Sequence, residues 1–219
     1  DAALLTGPFF SNPSLWRAGF GDLRWDETAI DAGLGDLATD RVAAIVTGHS
    51  HFDHLGDVPV VARKVATGAR LLVNASGANA LAAYPDLAAR VERIDDGVRW
   101  HVVRDGAGRA MFRVWPIPSE HAPHFDHYTW GKGAIERPWP AGDDWRQHRL
   151  AEFKDGGTWA FLIDLLDPAS GAPRFRLYYQ DSANDRDRGW PPALPADAPQ
   201  IRIAHPSGII VLHELSLAA

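Results

Sequence analysis

The sequence predicts an α/β fold, a layered sandwich of mixed sheets. Two observations carry that expectation. Val42 to Thr47 (VAAIVT) is a continuous apolar run of strand length, the pattern of a strand buried on both faces. Strands alternate with helices early in the chain and pair into hairpins later, so the sheets are mixed.

The elements follow in order. Ala2 to Leu5 reads as a short strand running into the turn-rich Thr6 to Pro13. Val42 to Thr47 ends in Gly48 and a histidine-rich loop. Asp57 caps a helix over Val58 to Thr67, with Pro59 tolerated in the first turn and Gly68 as the stop. Ala69 to Val73 returns as a strand, and Ser76 opens a second helix that ends near Tyr84-Pro85. Val98 to Arg104 and Ala110 to Ile117 flank the hairpin signal DGAGR. Thr158 to Leu165 and Phe175 to Gln180 flank another, DPASGAP. In the latter strand Phe175, Leu177 and Tyr179 alternate with Arg174, Arg176 and Tyr178, the period of a strand with unlike faces. Ile201 to Ala204 and Ile209 to Leu212 are the last strand candidates.

Composition narrows the function. Of 219 residues 46% are hydrophobic and 23% charged, which excludes disorder and coiled coil and suits one domain over residues 1–219. Twenty glycines and 16 prolines fit many short elements rather than a helix bundle. A net charge of −6 gives no basic field for nucleic acid or an anionic membrane. With no cysteine there are no disulfides, thiolate zinc sites, iron–sulfur clusters or cysteine nucleophiles. No apolar run approaches the roughly 20 residues of a membrane span. The start, DAALLTGPFF, lacks a basic region and an initiator Met, so it does not read as a signal peptide and upstream residues are expected to be missing. A soluble protein of cytoplasm or periplasm is expected, of unspecified oligomeric state.

The chemistry sits in His49-Ser50-His51-Phe52-Asp53-His54, directly after the buried strand. Three imidazoles and a carboxylate in six residues are nitrogen and oxygen ligands for borderline divalent metals such as zinc. The i, i+2 spacing of His49 and His51 lets an extended loop present both rings to one ion. Asp53 and His54 are then free to turn toward a second ion. The bland alternative is a cluster of solvated or helix-capping histidines; four such groups at the end of an apolar strand favour a metal.

HSHFDHLGD resembles the His-x-His-x-Asp-His signature of the metallo-β-lactamase superfamily, matching every fixed position. The resemblance covers most of the chain and implies a four-layer αββα sandwich with a two-metal site at one edge. In that family a third histidine follows a later strand, and His121 in PIPSEHAPHF follows Ala110 to Ile117. A bridging aspartate closes another strand, as Asp181 closes FRLYYQD. The last ligand is a histidine ending a final strand. His213, closing IIVLH, is favoured over His205, closing IRIA, because a ligand needs a rigid strand end behind it. The interval from Asp181 to His213 is shorter than the family pattern, so a segment near residues 204–211 is expected to be missing.

By that resemblance His49, His51 and His121 hold one ion, Asp53, His54 and His213 the other, and Asp181 bridges both. Zinc is the first expectation, with manganese or iron as alternatives. The nucleophile would be a hydroxide shared by the two ions, and Asp53 and Asp181 are the catalytic carboxylates. The presence of Asp181 without any cysteine argues against a β-lactamase and toward lactonase-like and phospholipase D-like members that cleave esters, lactones or phosphodiesters of small molecules. A thioesterase, a metal-dependent oxidoreductase and a non-catalytic metal-binding scaffold are the alternatives.

Residues 125–159 look like an insertion over the site, with Trp130, Trp139, Trp145 and Trp159 among glycine, proline and charges. Two readings stand open: an aromatic lid that grips substrate, or a loop that needs tryptophans to stay packed. His124, Trp130 and Trp139 are the substrate-binding candidates.

Overall fold

The computed structural model describes residues 2–20, 23–124, 128–182 and 188–191. The strands expected at Ile201 to Ala204 and Ile209 to Leu212, and with them His205 and His213, lie outside the described residues.

The first sheet contains β1 (Ala3–Thr6), β2 (Val42–Val46), β3 (Arg70–Val73) and β4 (Val91–Arg93), in that spatial order and all parallel. Between them run α1 (Leu15–Phe20), α2 (Glu27–Leu34), α3 (Phe52–Leu55), α4 (Val58–Lys64) and α5 (Ala75–Leu81). Strand order that never reverses, combined with right-handed crossovers, sends the connecting helices to one face of a sheet. The core obeys this. Leu5, Ile45, Leu71 and Val73 pack with Ile30, Leu34, Val61 and Leu81 from the helices. The alternate residues Leu4, Ala44, Val46 and Leu72 face the other way, and all five residues of β2 are buried.

That other face meets the second sheet, an antiparallel meander of β5 (His101–Arg104), β6 (Ala110–Ser119), β7 (Thr158–Leu166) and β8 (Pro173–Gln180). Val103, Val114, Phe161 and Ile163 complete the core between the sheets. On the outer face Ile117, Ala160, Leu162 and Tyr178 pack with Trp100 and Trp115. Among the described residues no helix contributes to this outer cluster. The described chain is thus mixed α/β, with helices against one four-stranded sheet and a second four-stranded sheet behind it.

Several boundaries differ from the sequence reading for identifiable reasons. α4 stops at Lys64 rather than Thr67 because Val65 turns extended and the Ala66 amide donates to Thr39 O instead of continuing the helix. α5 begins at Ala75, since the cap is Asn74, whose side chain accepts from Gly77 N at 2.8 Å. α2, capped by Asp26, and the three-residue β4 had no counterpart in the sequence reading. No helix among the described residues is long and apolar enough to cross a membrane.

The long connection from β6 to β7 crosses to the helical side. Ile135, Trp145 and Phe153 sink into the helix-side core. Trp139 N donates to Asn79 O, and Asn79 Nδ2 donates to Ile135 O at 2.6 Å, so the segment is fastened to α5.

Candidate metal centre

β6 and β8 are both antiparallel to β7, so they run the same way and end at the same edge of their sheet. His121 follows β6 and Asp181 follows β8. Trp159 N, at the start of β7, donates to Gly48 O at 2.8 Å, which joins that edge to the loop after β2. The C-terminal ends of strands from both sheets therefore meet where the His49–His54 segment lies. Side chains from chain segments far apart in sequence converge there on rigid supports.

His49, His51 and His121 bring one ring nitrogen each to within 4.8 Å of one another. Their tautomers follow from their neighbours. His51 Nε2 lies 3.2 Å from Gly131 O, and His121 Nδ1 lies 2.6 Å from Ala122 O. A carbonyl only accepts, so each of those nitrogens carries the hydrogen. His49 Nδ1 lies 2.8 Å from Asp181 Oδ2 and donates to that carboxylate. The nitrogens left with bare lone pairs are His49 Nε2, His51 Nδ1 and His121 Nε2. The last two face each other at 3.2 Å, and His49 Nε2 is buried without a hydrogen-bond partner among the described residues. Burial pushes all three histidines below the ordinary imidazole value, His49 to about 4, so they are neutral near pH 7. Converging lone pairs repel one another unless a cation accepts them. Rings that give their other N–H to a carbonyl or carboxylate are the arrangement in which metal-bound histidines are held. The donor set fits a divalent metal ion.

A second group joins His49, His54 and Asp181, again within 4.8 Å. Asp181, 2% exposed, accepts at Oδ2 from Gly48 N at 2.9 Å and His49 Nδ1, and at Oδ1 from Tyr179 OH at 2.5 Å. His54 Nδ1 lies 3.2 Å from the same Oδ2 without the alignment of a hydrogen bond. Burial favours the neutral carboxyl, but His54 and His49 outweigh it and hold Asp181 well below the usual range. Burial likewise works against a charged His54, yet the Asp181 carboxylate raises it to about 9. The positive charge of this group therefore resides on His54, while His49 stays neutral with its one hydrogen on Nδ1.

The sequence candidates divide as follows. His49, His51 and His121 come together as one group, and His54 and Asp181 join His49 in another. Asp181 Oδ2 lies against the Nδ1 atoms of His49 and His54, so its described contacts place it on the His54 side, holding the His49 tautomer. Asp53 is exposed beside His54, with Oδ2 3.6 Å from His54 Nε2. His124 stacks on His121 with ring centroids 4.6 Å apart, and its Nδ1 accepts from Trp130 N at 3.1 Å. Trp130 is 41% exposed beside them. The half-buried Trp139 ring stacks on His148 at 4.0 Å, meets Trp145 and Phe153 edge-on and packs against the helix-side core. His213, with its competitor His205, lies outside the described residues.

Sequence reasoning missed three supports. Gly48 has no room for a side chain, because a Cβ there would lie 2.3 Å from Asp181 Cβ. Gly131 has φ +71°, and a Cβ would lie 2.7 Å from His51 Nε2. Tyr179, whose hydroxyl donates to Asp181, was read only as one member of an alternating strand. The bare glycine after VAAIVT was the one available signal, since glycine permits close backbone approach.

No protein-family model, curated protein or solved structure matches the chain.

Proposed function

We propose that the protein is a two-metal hydrolase of the metallo-β-lactamase type, cleaving an ester, lactone or phosphodiester bond in a small molecule. One observation carries the reading: three neutral imidazoles, two buried and His121 half-buried, aim bare nitrogens at one another while each gives its other N–H to a carbonyl or carboxylate. The two facing sheets with helices on one side are what a four-layer αββα sandwich requires of its first three layers; the fourth is part of the proposal.

His49, His51 and His121 would hold one ion. His54 and Asp181, with Asp53 and His213, would hold the other, zinc being the first choice. Two such cations lower the pKa of water and stabilise negative charge developing on the substrate oxygen. The chain's own residues prepare the site. Asp181 fixes the His49 tautomer, and Gly48 N and Tyr179 OH fix Asp181. Gly131 O does the same for His51. Asp53, exposed beside His54, orients water and takes up a proton at its carboxylate. The absence of cysteine keeps a β-lactamase disfavoured.

Elemental analysis of reconstituted protein, followed by a substrate panel, tests the reading. About two transition-metal ions per chain are expected, with turnover of bis-p-nitrophenyl phosphate or a lactone and none of nitrocefin. Metal bound without turnover of any ester, lactone or phosphodiester would favour a scaffold, and no bound metal would overturn the proposal.

A further inference from the structure

We propose that Tyr128, Trp130, Lys132 and Lys154 form an anion-binding subsite beside the histidine cluster, selecting substrates that carry a carboxylate or phosphate on a planar group. Its role in substrate choice rests on the hydrolase reading above; the binding of the anion does not.

A cavity of about 390 Å³ opens at this place, lined by Tyr128, Thr129, Trp130, Gly131, Lys132 and Lys154. That volume suits a small ligand. The sequence holds only three lysines among 22 basic residues. Lys64 is engaged by Asp31 at 2.8 Å and Glu27 at 3.5 Å. The other two both line the cavity, and neither forms a salt bridge with a carboxylate among the described residues. An anion entering this concavity meets two lysines, and a concave low-dielectric wall strengthens their attraction for it. Lysine suits the task, since its compact charge and three donors meet carboxylate or phosphate oxygens without demanding a planar fit.

The aromatic side of the cavity adds a second preference. Tyr128 is 61% and Trp130 41% exposed, so both rings leave area free for a planar group to stack. The cavity also borders the metal cluster at two backbone points. Gly131 O meets His51 Nε2 at 3.2 Å, and Trp130 N donates to His124, which stacks on His121. The segment that walls the cavity is therefore the same one that holds His51 and His124, which sets the subsite next to the histidine cluster.

Isothermal titration calorimetry with phenyl phosphate, benzoate and neutral benzyl alcohol tests the subsite directly. At least one anion should bind wild-type protein about tenfold more tightly than benzyl alcohol. In the Lys132→Gln/Lys154→Gln protein that preference should disappear while metal content stays the same. Whichever anion binds more tightly identifies the group as phosphate or carboxylate. Equal binding of all three probes would overturn the proposal. So would a double variant that keeps the full preference, because the anion would then sit on the histidine cluster instead. Lysine-dependent anion binding in a protein that hydrolyses nothing would sink the hydrolase reading and leave the subsite standing.

Discussion

Gly48 gives its amide hydrogen to the Asp181 carboxylate at 2.9 Å, so the end of β2 in one sheet is tied to the end of β8 in the other. The approach is close enough that an alanine Cβ would press on both Asp181 and Trp159 O. Gly48→Ala should therefore cost about 1–3 kcal/mol by overpacking and displace the carboxylate from His49. Urea unfolding and metal analysis of the variant check both parts; wild-type stability with full metal content would contradict them.

Asp181→Ala should loosen the ion on the His54 side more than the one held by three imidazoles, and lower turnover by orders of magnitude while the fold survives. Asp167, in the turn between β7 and β8 at the opposite end of the sheet, accepts from Ala169 N and Ser170 N, pairs with Arg174, and is the control. Metal content and kcat measured side by side decide the matter. Equal effects of the two substitutions would show that Asp181 has no special part.

The metal-free protein should have a stability maximum close to the ordinary imidazole value of 6.5. His54 is raised to about 9, so its charged form favours the folded state; that contribution is complete below about 6.5 and is lost as pH rises through 9. His49 is lowered to about 4, so the folded state resists its protonation and stability falls as pH drops from 6.5 toward 4. Denaturant unfolding of chelator-treated protein across this range measures both limbs. His54→Gln should remove the alkaline limb only.

The tryptophans of the long connection should separate by role. Trp145 is fully buried against Tyr84, Trp139 and Phe153, and Trp145→Ala should cost about 3–5 kcal/mol in unfolding free energy. Trp130→Ala, at an exposed position, should leave stability within about 0.5 kcal/mol and act on substrate binding instead. Similar stability losses in the two variants would erase the distinction.

The chain announced some of this and hid the rest. VAAIVT was legible as a buried strand because both its faces are covered, and DGAGR and DPASGAP marked hairpins through local turn chemistry that needs no tertiary partner. β4 was invisible because three residues carry no measurable period. The clustering of the histidine loop was legible from spacing, and the nearness of His121 and Asp181 came through the family resemblance. The Gly131 carbonyl that sets the His51 tautomer was not, since it arrives from 80 residues away and any residue type has a carbonyl. Trp139 and Trp130 look alike in sequence; only the route of the connection over α5 tells them apart.

Among the described residues each sheet is woven from one uninterrupted stretch of chain, residues 3–93 for the first and 101–180 for the second. Each half can thus gather its own strands before meeting the other, as contacts near in sequence form soonest. The three imidazoles straddle that divide, two in the first half and His121 in the second. An ion gripping all three would then act as a clasp: it closes only once the halves have docked, and its binding free energy resists their parting. Withdrawing the ion should let the seam between the sheets breathe, with faster amide exchange along β2 and β7 than within the helical layer.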